Sequence, residues 1–64
     1  MINRETAGKE LLELRLKHKL TQIQLAEKTN ISVKTISAIE SGGNKPQSMT
    51  LYKLNRFFLT YKLV

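Results

Sequence analysis

The side chains able to do chemistry in this sequence are few. There is no Cys and no Asp, and the only His is His18. A thiolate nucleophile and a thiolate metal site are therefore excluded. His18 has no Asp or Cys with which to build a catalytic triad; the basic run Lys17-His18-Lys19 makes it a solvent-facing residue at a helix end. Glu10 and Glu13 stand three apart on a helical pattern, which describes a solvated face better than a working pair of carboxylates. Gly42-Gly43 follows a helix and does not join a strand to a helix, so it is no phosphate-cradling loop. No enzymatic activity, metal or cofactor is expected. What remains is chemistry spread along one helix face. At about 100° per residue, Ile36 and Ile39 fix the inward side of a helix opening at Val33. Lys34, Ser37, Ala38 and Ser41 then point away from that side, with Val33 in the exposed first turn and no acidic residue among them. Apart from Lys34 these side chains are short, so the helix can come close to base edges. Val33 and Ala38 can touch thymine methyls, Lys34 can donate to guanine O6 and N7, and Ser37 shares the same face. Ser32, Thr35 and Ser41 can donate to phosphates, as can Thr21, Gln22 and the main-chain N–H groups that open the Gln22 helix. Lys45, with Lys17 or Lys19, adds charge at the flanks.

The elements that must hold this face lie in Thr21 to Gly42, TQIQLAEKTNISVKTISAIESG. Thr21 caps a helix from Gln22 to about Lys28; Ser32 caps one from Val33 to about Ser41; Gly42 ends it. Between them Asn30 suits a left-handed turn. Leu25, Ala26, Ile31, Ile36 and Ile39 supply the apolar side, with Ala26 small where the helices cross. Two short helices about a tight joint form a helix-turn-helix unit. Upstream, residues 1–5 read as a frayed start. Thr6 caps a helix from Ala7 to about Lys17 or Lys19, with Ala7, Leu11, Leu14 and Leu16 on its apolar side and Leu12 on the flank. Downstream, SGGNKPQS is a loop. A further helix starts near Ser48 or Met49, capped by Gln47 or Ser48, and buries Leu51, Leu54 and Phe58 with Phe57 beside them. In the tail, Leu59, Tyr61 and Leu63 alternate with Thr60 and Lys62, a strand period, although Leu54, Phe58 and Tyr61 also keep helical spacing. A short strand or extended arm after Phe58 is expected. Its apolar residues need cover, which a symmetric partner chain would supply.

The chain has 64 residues, so it is read as one domain, 1–64. A domain this short buries only about 60% of its unfolded surface. Eleven Lys and Arg against five Glu leave a net charge of +6, which favours a polyanionic partner. No apolar run approaches the roughly 20 residues that span a bilayer, and the start lacks the apolar core of a signal peptide. The expected architecture is all-α: a compact set of four or five helices around a small Leu/Ile core.

From Gly8 to about Leu59 the chain resembles the lambda-repressor-like family, the XRE or Cro/C1-type helix-turn-helix proteins. The matching residues are Gly8, Leu11, Leu14 and Arg15; Leu20-Thr21-Gln22 and Leu25-Ala26-Glu27; Ile31-Ser32, Thr35-Ile36-Ser37, Ile39-Glu40 and Gly42; then Pro46, Thr50-Leu51 and Leu54. Thr29 stands where the family prefers an aliphatic residue and Asn30 where it prefers Gly; Thr29 can bury its methyl and bond a backbone carbonyl. The Gly that usually ends the last helix is missing after Phe58. The resemblance implies a five-helix DNA-binding domain acting as a homodimer on a two-fold operator. It implies base contacts at Val33, Lys34 and Ala38, a phosphate contact and a bracing role for Gln22, and DNA-facing positions at Ser32 and Thr35. It also implies a salt bridge between Arg15 and Glu40.

Taken together, these features lead to the expectation of a small transcriptional regulator, a Cro-type or prophage repressor. Its partner would be double-stranded DNA with a pseudo-palindromic operator, its dimer contacts Phe58, Leu59, Tyr61 and Leu63, and its setting the cytoplasm and nucleoid of a bacterium or phage host. The alternative is an antitoxin or protein-interaction module of the same fold, with a toxin or antirepressor as partner. A membrane-surface role fits poorly with Ile36 and Ile39 turned inward.

Overall fold

Four α-helices and one 3₁₀ turn, Arg4–Thr6, build the computed structural model, which describes residues 2–61; no strand occurs among the described residues. The helices are α1 (Ala7–Lys17), α2 (Gln22–Thr29), α3 (Val33–Glu40) and α4 (Ser48–Thr60). None of them is long and apolar enough to cross a membrane.

The joint between α2 and α3 follows local rules closely. The Thr21 hydroxyl accepts from the Gln24 N–H at 3.0 Å, and the Gln24 side chain accepts from the Thr21 N–H at 2.9 Å. Two orphan donors of the first turn are thus satisfied reciprocally. Asn30 ends α2 with φ +59°, and Thr29, buried, donates its hydroxyl to the Leu25 carbonyl at 2.7 Å. The Ser32 hydroxyl accepts from the Thr35 N–H at 3.1 Å and opens α3. At the far end Gly42 takes φ +81°, and the N–H groups of Gly43 and Asn44 return to the Ala38 carbonyl at 3.0 and 3.3 Å. Helix α3 therefore stops at Glu40, and Ser41 is its cap.

Leu11, Leu25, Ile36, Ile39 and Leu54 are sealed from solvent and form the centre, one or two from each helix. Each such burial contributes about 1.5–3 kcal/mol. Helices α1 and α3 approach so closely that a β-carbon on Gly8 would lie 2.5 Å from the Ile39 carbonyl oxygen. That contact sets the depth at which α3 sits on the core.

Six expectations need correction. Residues 2–5 are not a frayed end: Ile2 is 3% exposed, and its N–H and C=O are both held by the Asn55 side chain, at 2.6 and 3.1 Å. Asn3 accepts from the Glu5 N–H, and its own N–H donates to the Glu10 carboxylate at 2.6 Å. This bond, then one from the Thr6 hydroxyl, holds the Glu10 carboxyl below its ordinary value. Glu10 is thus a strut and not merely a solvated charge, while Thr6 stands at the start of α1 without bonding its first-turn N–H groups. Leu16 is 59% exposed, because two residues beyond Leu14 is about 200° around the helix. The strand or arm expected after Phe58 is absent over the described residues: α4 continues through Thr60, whose hydroxyl bonds back to Arg56 and Phe57, and Tyr61 is the first extended residue. Helical spacing of Leu54, Phe58 and Tyr61 outweighs the coincidental alternation, and the rest of that arm, 62–64, lies outside the described residues. Finally, His18 is half-buried. Its ring bonds the Leu14 carbonyl at 2.9 Å and packs 5.2 Å from Phe58 and 5.4 Å from Tyr61.

Candidate nucleic-acid interface

Helix α3 has two unlike sides. Ile36 and Ile39 are sealed, whereas Val33, Lys34 and Ser37 are exposed and Ala38 is half-buried. The arrangement rests on Glu40. Its carboxylate accepts from Arg15 Nε at 2.6 Å, from Arg15 Nη2 at 2.9 Å and from Gln22 Nε2 at 2.9 Å. Arg15 also donates Nη1 to the Leu20 carbonyl at 2.9 Å. One carboxylate thereby ties the end of α3 to α1 and to the first residue of α2. The hydrogen bond to Glu40 raises the Arg15 guanidinium above its ordinary value against the opposing effect of burial. An amide nitrogen carries two N–H donors, so bracing Glu40 does not prevent Gln22 from reaching a phosphate.

The hydroxyls expected at the DNA backbone are not equivalent. Ser32 donates its proton to the Thr35 hydroxyl at 2.9 Å, and Ser41 donates to the Ala38 carbonyl at 3.0 Å. A phosphate would have to compete for both. Thr21 and Thr35 only accept in these bonds, which leaves their protons for an outside acceptor. Lys45 is exposed, and its Nζ lies 2.5 Å from a Glu5 carboxylate oxygen. Lys17 and Lys19 are exposed at the end of α1 and beyond it.

A groove of about 480 Å³ runs along α3, with Lys34, Thr35 and Ala38 on one wall and Asn44, Lys45 and Thr50 on the other. Sequence reasoning missed Asn44 and Thr50 as members of this wall. Only the polar residues around Pro46 hinted at them, because the Gly42 turn that folds the loop beside α3 has no sequence partner there. A second depression, about 540 Å³, joins exposed Leu16 and Ile23 to Val33. No three His, Cys, Asp or Glu among the described residues gather as metal ligands.

Of the residues expected at a dimer contact, Phe58 and Tyr61 are half-buried against their own chain, with Tyr61 stacked on Phe57 at 4.8 Å and Lys28 over its ring. Leu59 is 70% exposed, and Leu63 lies outside the described residues. Met49 and Tyr52, not singled out in the sequence, are 66% and 58% exposed and share one face of α4 with Arg56 and Leu59. The positions 49, 52, 56 and 59 follow alternating steps of three and four, the spacing of a helix–helix seam.

A family model described as Helix-turn-helix matches residues 11–60. Neither the curated proteins nor the solved structures contain a match to the chain.

Proposed function

The chain belongs to the XRE-type, Cro/C1-like helix-turn-helix family of DNA-binding regulators, and from that premise we propose that it is a sequence-specific transcriptional regulator of the Cro or prophage-repressor kind. Helix α3 lies in the major groove. Val33, Lys34, Ser37 and Ala38 meet base edges, and Thr21, Gln22, Ser32, Thr35, Ser41 and Lys45 meet the backbone. The observation that carries this reading is the two-sidedness of α3: an acid-free, exposed outer face backed by two sealed isoleucines. The net charge of +6 supplies the sequence-independent attraction. Sequences selected by the full chain from random duplex DNA should converge on a two-fold motif, and binding to that motif should weaken steeply with salt. A flat salt response, or no convergence, overturns the reading.

The whole chain, 1–64, acts as one such domain, paired with a second copy through the outer face of α4 and the tail beyond it. It works in the cytoplasm and nucleoid of a bacterium or phage host, without a catalytic activity or cofactor. The exposed Met49, Tyr52 and Leu59 also favour a second reading, an antitoxin or interaction module that covers this face with a different protein. Stable isolation of a non-self complex that masks α4, in place of a self-associated form, would support it.

A further inference from the structure

The N-terminal turn lies against the loop between α3 and α4, at the rim of the groove. Arg4 Nε donates to the Pro46 carbonyl at 3.2 Å, and Lys45 Nζ sits 2.5 Å from Glu5 Oε1. Lys45 and Pro46 line the same groove as Lys34 and Ala38. A carboxylate thus holds a cation that lines the groove. We propose that Glu5 is an internal stand-in for the DNA backbone: it holds Lys45 in the free protein and yields it when a phosphate arrives, so that binding to any duplex is weakened equally. The preference between sequences, set by base reading at α3, is left unchanged. The inference rests on the DNA-binding reading above.

Three features support the role. Both partners are well exposed, at 60% and 67%, so the pair is screened by water and readily exchanged for another anion. The backbone beneath Glu5 is held by the Ile2–Asn55 clasp, the Asn3 cap and the Glu10 bond to Asn3, which keeps the residue beside the Lys45 loop. Lys45 is also the chief cause holding the Glu5 carboxyl below its ordinary value, so Glu5 is an anion at neutral pH.

The test uses the full chain with E5Q, K45Q, the double variant, and E13Q, each titrated against the selected duplex and an unrelated one. E13Q removes the same charge from an exposed residue that does not line the groove. E5Q should tighten binding to both duplexes by about threefold, the scale of an exposed pair. E13Q should give less, and the gain should vanish when Lys45 is also replaced. Equal gains from E13Q and E5Q, a gain that survives K45Q, or no gain from E5Q would each overturn the proposal while leaving the DNA-binding reading intact. Failure of the unaltered chain to bind any duplex would overturn that reading itself.

Discussion

Lys34 is the one long side chain on the outer face of α3, and it has no acidic neighbour on that face. A bidentate contact to guanine discriminates by about 1–3 kcal/mol. Lys34→Ala should therefore lose that amount on the cognate duplex and almost nothing on unrelated DNA, in competition titrations. A uniform loss across sequences would make it a phosphate contact. Glu40 carries a different burden. Its three hydrogen bonds come from two other elements, and its pairing with Arg15 is largely buried, the side chains being 12% and 7% exposed. Arg15→Ala leaves that carboxylate short of its main partner, at a cost of about 3–5 kcal/mol. In a domain this small that is a large part of the stability, so chemical denaturation should show a markedly lower midpoint. Arg15→Ala combined with Glu40→Ala should recover part of the loss, because no buried charge is then left alone. The Arg15–Glu40 pair was legible in the sequence only through the family pattern. The hydroxyl protons of Ser32 and Ser41 were not legible at all, since whether a serine donates inward or outward depends on the geometry of a turn.

At the scale of elements, caps and helical periods located α2, the left-handed joint and α3 almost to the residue. Those signals are local: Thr21, Asn30, Ser32 and Gly42 act on neighbours within four positions. The start of the chain was not legible because its partner is distant. Ile2 is clasped by Asn55, 53 positions away, and no local pattern contains that contact. Two predictions belong here. Gly8→Ala would gain about 1 kcal/mol of helix propensity. It would also drive a β-carbon to within 2.5 Å of a main-chain oxygen that cannot swing aside. Overpacking costs about 1–3 kcal/mol, so the net effect should be a lower melting temperature. The second concerns acid. Glu10 sits below its ordinary value of 4.5 in the fold, so its contribution is complete above that pH and fades as pH falls through the folded value. Protection of the Asn3 amide, taken relative to its intrinsic exchange rate at each pH, should fall over that window before that of the core amides, and Glu10→Gln should remove the dependence.

For the whole molecule the question is how a body measuring 31 × 20 × 19 Å finds one site. The eight residues of α3 span about 12 Å, which is roughly four base pairs of groove. So short a word cannot stand out among the ~10⁶–10⁹ competing sites of a genome. Successive major-groove faces recur about 34 Å apart, farther than one copy extends, so a second copy is the economical solution. The face of α4 bearing Met49, Tyr52 and Leu59 is where it should pack, since Phe58 and Tyr61 are already engaged with His18 and Phe57 in their own chain. Tyr52→Glu with Leu59→Ser leaves the sealed core untouched and should shift sedimentation to the monomer. Operator binding should then weaken and become dependent on the square of protein concentration. Deleting residues 59–64 should act in the same direction. If the unaltered chain sediments as a dimer and neither variant shifts it, α4 is not the seam, and the exposed Leu16 and Ile23 beside Val33 become the next surface to alter.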